Sequence, residues 1–139
     1  MSRRVFVDAD IILDLLLARE PFFPAAANLF LLIQEGRIEG FTSPVVFANL
    51  FYILRQGRSA AEAATVLRKL RLLLGIAAVD EKTIDRALAS SFASFEDAIQ
   101  YYTAVAHNLD AVVTRNKKDY KAAEIPVLDA AECAQLAGS

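Results

Sequence analysis

The sequence contains few of the residues on which several common kinds of site depend. It has one cysteine, one histidine and five scattered glycines. A single cysteine cannot form an internal disulfide, and with no second cysteine or histidine near it, it is not expected to bind zinc. The lone histidine gives no support to a Ser/His/Asp triad, and scattered glycines do not form the Gly-rich loop of a nucleotide triphosphatase. We therefore expect Cys133 in the core and His107 as a cap at the end of a helix.

Long apolar runs and a strong charge bias are also absent. No apolar run reaches about 18 residues, and no charged region followed by a small-residue cleavage site begins the sequence. We therefore expect a cytoplasmic protein that does not enter a membrane. The formal net charge is −2, which argues against a domain that binds nucleic acid over its whole face but is compatible with a local basic rim.

Length and hydrophobic content bound the organisation of the chain. The 139 residues suit one domain, spanning residues 1–139, that buries roughly two thirds of the surface of its unfolded form. Hydrophobic residues make up 55% of the chain, which is high for a soluble domain. Part of this apolar surface is expected to be covered by a partner.

Short runs rich in β-branched and aromatic residues predict five strands, and helical patterns separate them. The runs cover residues 3–9, 38–43, 76–80, 110–116 and 125–129. Strands separated by helices predict an α/β fold, a three-layer α/β/α sandwich around a central, mostly parallel five-stranded sheet. In such sheets ligands bind just beyond the carboxyl ends of the strands, where Asp8 and the "TRN" segment lie.

Polar groups interrupt the apolar pattern at three places, each at a strand end or a helix start. These places are Asp8 with Asp10, Glu96 with Asp97, and Asn116 with Asp119. Two carboxylates about 5 Å apart repel by about 3 kcal/mol at an effective dielectric near 20, so gathering several of them requires a cation. Oxygen ligands alone select Mg²⁺ or Mn²⁺, and such ions suit phosphodiester hydrolysis.

Each polar group also has a structural alternative. Asp10 precedes an apolar helical run and is predicted to act chiefly as its N-cap. The "SFED" stretch has capping-box spacing, which would make Asp97 the third residue of a helix begun by Ser94. Asn49 interrupts an otherwise apolar helix, and three roles stay open: a buried hydrogen-bond network, a contact with phosphate or metal-bound water, or a solvent-facing position.

Four segments together resemble a PIN domain. They are "VDADIILDLLL", "TSPVVFANLFYILR", "SFEDAIQYYTAVAHNLDAVVTRNKKDY" and "IPVLDAAE". The chain is similar in particular to the bacterial single-domain PIN proteins, which include the VapC-type ribonuclease toxins. The resemblance implies a Mg²⁺- or Mn²⁺-dependent endoribonuclease of the 5′-nuclease-like α/β class. Such proteins are often dimeric and often inhibited by an antitoxin, so we expect a homodimer and a possible antitoxin partner.

The resemblance also implies roles for individual residues. Asp8 matches the first acidic ligand, Asp97 the third, and Asn116 with Asp119 the fourth cluster. Thr114 matches the small hydroxyl residue that ends the strand. The chain departs from the toxins at Asn49, where they usually have glutamate, and Asn116 stands where many members have aspartate. Because an amide adds no negative charge, weaker metal binding is expected.

The leading hypothesis from the sequence is therefore a metal-dependent endoribonuclease. Its residues are Asp8, Asp97 and Asp119 as metal ligands, Asn49 and Asn116 orienting water or phosphate, Thr114, Arg115 and Lys117 contacting RNA, Asp10 and Glu96 beside the ligands, and Lys118 and Lys121 completing the basic rim. A second hypothesis is a catalytically weak PIN module that binds RNA or a protein. A third is a haloacid dehalogenase-like phosphatase, because "VDAD" imitates its Asp-x-Asp motif, although Ile-Ile follows here.

Overall fold

The central sheet is wholly parallel. The structure is a computed structural model that describes residues 2–120 and 123–138. Within that part of the chain the strands are β1 (Arg3–Val7), β2 (Ile38–Thr42), β3 (Gly75–Ile76), β4 (Ala111–Val113) and β5 (Val127–Leu128). They form one sheet in the order β3-β2-β1-β4-β5. The prediction of a five-stranded α/β fold is confirmed.

Seven α-helices connect and cover these strands in the described part of the chain. They are α1 (Ala9–Leu16), α2 (Phe23–Gln34), α3 (Pro44–Leu54), α4 (Ala60–Leu73), α5 (Glu81–Leu88), α6 (Phe95–Ala106) and α7 (Ala130–Gln135). Short 3₁₀ turns follow at Lys117–Tyr120 and Leu136–Gly138. Helices α1, α2 and α7 pack together, whereas α5 packs on α6, which lies against β1 and β4. No helix within residues 2–120 and 123–138 combines the length and apolarity that a membrane crossing requires.

Strands β3 and β5 are shorter than the sequence pattern indicates. The run predicted as a strand over 76–80 leaves the sheet after Ile76, and Asp80 caps α5 by accepting a hydrogen bond from the backbone of Thr83 at 2.9 Å. Similarly, only Val127 and Leu128 pair within the predicted run 125–129, because Asp129 is the N-cap of α7. The side chain that caps α7 therefore ends β5, whereas β3 keeps one further backbone bond, from Ala77 N–H to the Thr42 carbonyl at 2.7 Å, before the chain turns toward α5.

The position of β1 explains where a site can form. Its residues Val5, Phe6 and Val7 are fully buried, and it pairs with β2 on one side and β4 on the other. The chain moves outward in one direction through β2 and β3 and in the other through β4 and β5, so the strand order reverses between β1 and β4. A crevice beyond the carboxyl ends of two such strands is the usual ligand position in an open α/β sheet.

Candidate metal centre

Asp8 and Thr114 are the first residues beyond β1 and β4, and they face each other. The register pairs Val7 with Val113, and the Asp8 backbone N–H donates to the carbonyl of Val113 at 2.9 Å. The Thr114 hydroxyl is fully buried and lies 2.9 Å from Asp8 Oδ2, to which it donates. Asp8 itself is buried, and its Oδ1 accepts the backbone N–H of Ala9 at 2.7 Å. The strand pairing thus fixes the Asp8 carboxylate at the crevice.

The prediction that Asp10 caps the first helix is wrong. Helix α1 begins at Ala9, so Asp8 is its N-cap and Asp10 lies within its first turn. Asp10 instead reaches the end of β4, where its Oδ2 accepts the backbone N–H of Arg115 at 2.9 Å and lies 3.2 Å from the Thr114 hydroxyl. Its Oδ1 is buried and has no hydrogen-bond partner among the described residues. A buried carboxylate oxygen left in this way is an open position for a cation.

Helix α6 brings Asp97 to the same place. The side chain of Ser94 accepts the Asp97 backbone N–H at 3.2 Å, which confirms Asp97 as the third residue of a capped helix. The Asp97 carboxylate is nevertheless directed toward Tyr120, whose hydroxyl lies 3.5 Å from its Oδ1 and 3.4 Å from Asp8 Oδ2. Two aspartates that are far apart in sequence therefore flank one buried hydroxyl.

Tyr120 has no predicted role, although it ends the "TRNKKDY" segment. It is buried, and burial chiefly raises its pKa, so the phenol stays protonated and acts as a donor. The preceding residue, Asp119, is half-buried in the 3₁₀ turn, and its backbone N–H donates to the carbonyl of Asn116 at 3.0 Å. The Asn116 side chain is exposed, while its backbone N–H donates to the Thr114 hydroxyl at 3.2 Å.

The carboxylates influence one another electrostatically. Burial, followed by the negative charge of Asp10, raises the pKa of Asp8 to about 7 against hydrogen bonds from Thr114 and Ala9. Burial also raises the pKa of Asp10. For Asp97 the pKa is raised by burial first and by the negative charge of Asp119 next. We call Asp8, Asp10, Asp97 and Asp119 the acidic cluster. Its buried carboxylates hold protons more tightly than exposed aspartates do, and the positive charge of a bound cation would offset their negative charges instead.

The donor set fits a hard divalent cation. All its side-chain donors are oxygens, one of them is buried without a partner, and the crevice lies at the switch of strand order. The fit lies in donor type and not in a preassembled cage. Among residues 2–120 and 123–138, no three histidine, cysteine, aspartate or glutamate side chains form a group ready to hold a metal ion.

A family model matches most of the sequence. The model for the PIN domain matches residues 4–118. The chain belongs to the PIN domain family. This is a family of nucleases, which generally depend on divalent metal ions, and the resemblance inferred from the four segments is confirmed. The haloacid dehalogenase alternative is set aside by the same match.

Solved structures share the PIN fold of this chain. A toxin-antitoxin complex from Klebsiella pneumoniae gives a TM-score of 0.68 at 20% identity, covering 91% of this chain and 97% of that one. VapBC2 from Rickettsia felis, bound to a DNA fragment from its promoter, gives 0.67 at 17% identity, with 91% and 98% covered. VapC20 from Mycobacterium tuberculosis, a sarcin-ricin loop cleaving toxin, gives 0.61 at 19% identity, with 78% and 86% covered. At these identities the likeness shows a common fold. No curated protein sequence matches the chain.

In this PIN domain, Asn49 stands at the margin of the acidic cluster. It is half-buried on α3, and its Nδ2 donates to Oε2 of the exposed Glu96 at 3.4 Å. Of the three roles left open by the sequence, the buried network is therefore wrong, because the amide meets an exposed partner. The charge of Glu96 also contributes to the raised pKa of Asp97, so the Asn49–Glu96 pair borders the cluster.

Two cations beside the acidic cluster, Arg115 and Lys117, form ion pairs that the sequence does not predict. The Arg115 guanidinium donates to both carboxylate oxygens of Asp14, at 2.7 and 3.0 Å, and stacks 3.9 Å from the ring centre of Phe22. Lys117 Nζ lies 2.6 Å from Glu132 Oε1. Contacts of Arg115 and Lys117 with RNA stay predictions, and Lys121 lies outside the described residues. Asp14 has no role in the prediction from sequence. The feature that indicates one is its position in an apolar helix, four residues after Asp10.

Two residues have the structural roles expected from the sequence. His107 is the C-cap residue of α6, and its Nε2 lies 2.9 Å from the carbonyl of Ala78. Cys133 is fully buried on α7, and burial raises the pKa of its thiol to about 12. Neither residue is placed to take part in the chemistry of the cluster.

Proposed function

We propose that this PIN domain is an endoribonuclease that hydrolyses RNA phosphodiester bonds with Mg²⁺ or Mn²⁺. One observation carries the proposal: the carboxylates of Asp8, Asp10 and Asp97 converge around the hydroxyls of Thr114 and Tyr120 at the ends of β1 and β4. This convergence of acids raises the proton affinity of Asp8 and Asp10 beyond what their capping and backbone contacts require, and a bound cation would offset it.

Asp8, Asp97 and Asp119 would hold the cation, and the unpartnered Oδ1 of Asp10 is a further oxygen open to it. When bound, a divalent cation supplies a more acidic water and stabilises charge on phosphoryl oxygens. The protein's own contribution is orientation. The Thr114 hydroxyl holds Oδ2 of Asp8 and lies near Oδ2 of Asp10, while the Tyr120 hydroxyl lies between Asp8 and Asp97.

The substrate would reach the cluster along a rim of exposed polar residues. Asn116, Lys117 and Lys118 are exposed next to Asp119, and Asn49 with Glu96 borders the other side. The two amides would orient water or a phosphate, and the lysines would neutralise the RNA backbone. Because two amides replace carboxylates of the toxins, the metal is expected to bind more weakly than in a site of four carboxylates.

The cleavage proposal is tested with purified protein, structured RNA and Mn²⁺. The wild-type protein should cleave the RNA, whereas Asp8→Asn should lose activity. Asp85→Asn is the matched control, since Asp85 is exposed on α5. Equal cleavage by Asp8→Asn and wild type would remove the proposal. RNA binding without cleavage, together with no Mn²⁺ binding in calorimetry, would instead establish the catalytically weak PIN module.

A toxin-antitoxin role is the finer part of the proposal. The Klebsiella pneumoniae match is a toxin-antitoxin complex. In this chain, a groove of about 500 Å³ runs between α3 and α4, lined by apolar residues including Phe47, Phe51 and Leu67. We propose that the protein works in the cytoplasm as a homodimer that an antitoxin inhibits. A monomeric mass in light scattering at micromolar concentration would count against the dimer, and no short reading frame beside the gene would count against the antitoxin.

A further inference from the structure

A second concave site adjoins the acidic cluster and shares Asn116, Lys117 and Lys118 with the rim described above. It is a cavity of about 660 Å³ between α1, the start of α2, the segment after β4 and the start of α7. The residues used below line it: Asp14, Phe22, Arg115, Asn116, Lys117 and Lys118. Arg115 forms the wall between the two sites, since its backbone N–H donates to Asp10 at 2.9 Å and its side chain lines the cavity.

The polar floor of the cavity is fixed. Asp14 is 1% exposed and accepts two N–H groups of Arg115, at 2.7 and 3.0 Å. The remaining guanidinium N–H groups have no acceptor among residues 2–120 and 123–138. The guanidinium also stacks on Phe22, whose side chain is still 40% exposed. A planar ligand therefore meets a rigid platform with an aromatic surface and hydrogen-bond donors in a known plane.

We propose that this cavity binds a nucleobase of the RNA, from a nucleotide close to the scissile phosphate. The base stacks on the exposed ring of Phe22, and the free guanidinium N–H groups, which a stacked base cannot reach, donate to an oxygen of the adjoining sugar-phosphate backbone. The exposed amide of Asn116 offers a further donor and acceptor. The site deepens the proposed endoribonuclease function and rests on it, because the shared Arg115 puts a base and a scissile bond within one nucleotide's reach.

A cationic side chain stands at the rim of the cavity. Asp14 is buried beneath the guanidinium, Asp129 lines the cavity and caps α7, and Lys117 pairs with Glu132 at 2.6 Å, whereas Lys118 is exposed at the rim, where a phosphate backbone would pass. Single-stranded RNA is held by this combination of stacking surface and cationic rim. The cavity volume also lies within the range of sites that enclose small planar ligands.

The test measures binding without cleavage. A short fluorescein-labelled single-stranded RNA is titrated with protein in EDTA, and fluorescence anisotropy gives the affinity. Phe22→Leu keeps an apolar side chain but removes the ring, and should weaken binding roughly tenfold to a hundredfold. Phe22→Tyr keeps the ring and should bind like wild type. Tyr52→Leu is the matched control, because Tyr52 is 71% exposed on α3 outside the cavity, and it should change nothing.

The outcomes separate this inference from the proposed function. If Phe22→Leu retains a wild-type fold by circular dichroism and binds the RNA as wild type does, the nucleobase site is overturned, even where the wild type cleaves RNA with Mn²⁺. Equal losses in Phe22→Leu and Tyr52→Leu would also overturn it. If Phe22→Leu alone loses affinity but the wild type never cleaves RNA, the base site stands and the endoribonuclease proposal fails. A second check is Lys118→Gln, which should reduce the salt dependence of binding by about one phosphate contact.

Discussion

Replacing Asp8 by asparagine is expected to stabilise the metal-free protein. The pKa of Asp8 is raised from 3.8 to about 7, chiefly by burial. Because the native state binds the proton more tightly than the unfolded state, this group's contribution is fully present below about pH 4 and is lost as the pH rises through about 7. A pKa difference of about three corresponds to at most about 4 kcal/mol of lost stability above pH 7.

The asparagine variant escapes this cost while keeping the local contacts. Asparagine is as good an N-cap as aspartate, and its oxygen can accept the Ala9 backbone N–H. Its amide can donate to the Thr114 hydroxyl, which in turn donates to Asp10. Allowing for imperfect replacement, we expect a gain of about 1–3 kcal/mol above pH 7, or roughly 3 °C in Tm for each kcal/mol.

The measurement is thermal unfolding in EDTA, followed by circular dichroism near pH 5 and near pH 8. The melting temperature of Asp8→Asn should exceed that of the wild type by more near pH 8 than near pH 5, and Asp85→Asn should melt like the wild type at both. With added Mn²⁺ the order should reverse, since only the wild type gains stability from the ion. A variant that melts at or below the wild-type temperature near pH 8 in EDTA would refute the reasoning that a buried charge at Asp8 is costly.

Three further substitutions or reagents test other contacts. Thr114→Val removes the hydroxyl donated to Asp8 and should cost about 1–3 kcal/mol in urea unfolding, whereas Thr114→Ser should recover most of it. Arg115→Ala leaves Asp14 buried and unpaired, so it should lower the free energy of unfolding by about 3–5 kcal/mol. The double variant with Asp14→Leu should lose less stability than Arg115→Ala alone, and additive losses would contradict the pairing. Cys133 should resist iodoacetamide in the native state and react only after unfolding, since burial raises the pKa of its thiol to about 12. Alkylation is followed by mass spectrometry, and rapid alkylation of the native protein would contradict the burial of this thiol.

The sequence predicted the fold well because the strongest signals are local. The central strands are short apolar runs, each ended by a polar residue, and such runs separated by helices leave few alternatives to a parallel sheet. Strands β3 and β5 were overestimated because a two-residue strand has hardly any pattern of its own. The end of β5 is set by Asp129, whose side chain caps the next helix.

The first aspartate pair shows where local reasoning about the site fails. Asp8 and Asp10 both precede the apolar run, and both are residue types suited to an N-cap. The choice between them is made by a strand that lies about a hundred positions later, because Thr114 and Arg115 draw Asp10 toward β4 and leave Asp8 to cap α1. A capping rule based on neighbouring residues contains no information about that strand.

Arg115 likewise has contacts that its sequence neighbours do not reveal. Its sequence neighbours predicted a place on a basic rim, but its side chain pairs with Asp14, 101 positions away, and only the folded chain brings the two together. Its backbone N–H and its side chain serve different sites, the first holding Asp10 and the second lining the cavity. A side-chain substitution therefore leaves the backbone contact with Asp10 available. If Arg115→Ala folds, its loss of RNA affinity would report on the cavity, and any loss of Mn²⁺ binding would mean that the two sites are mechanically coupled through this residue.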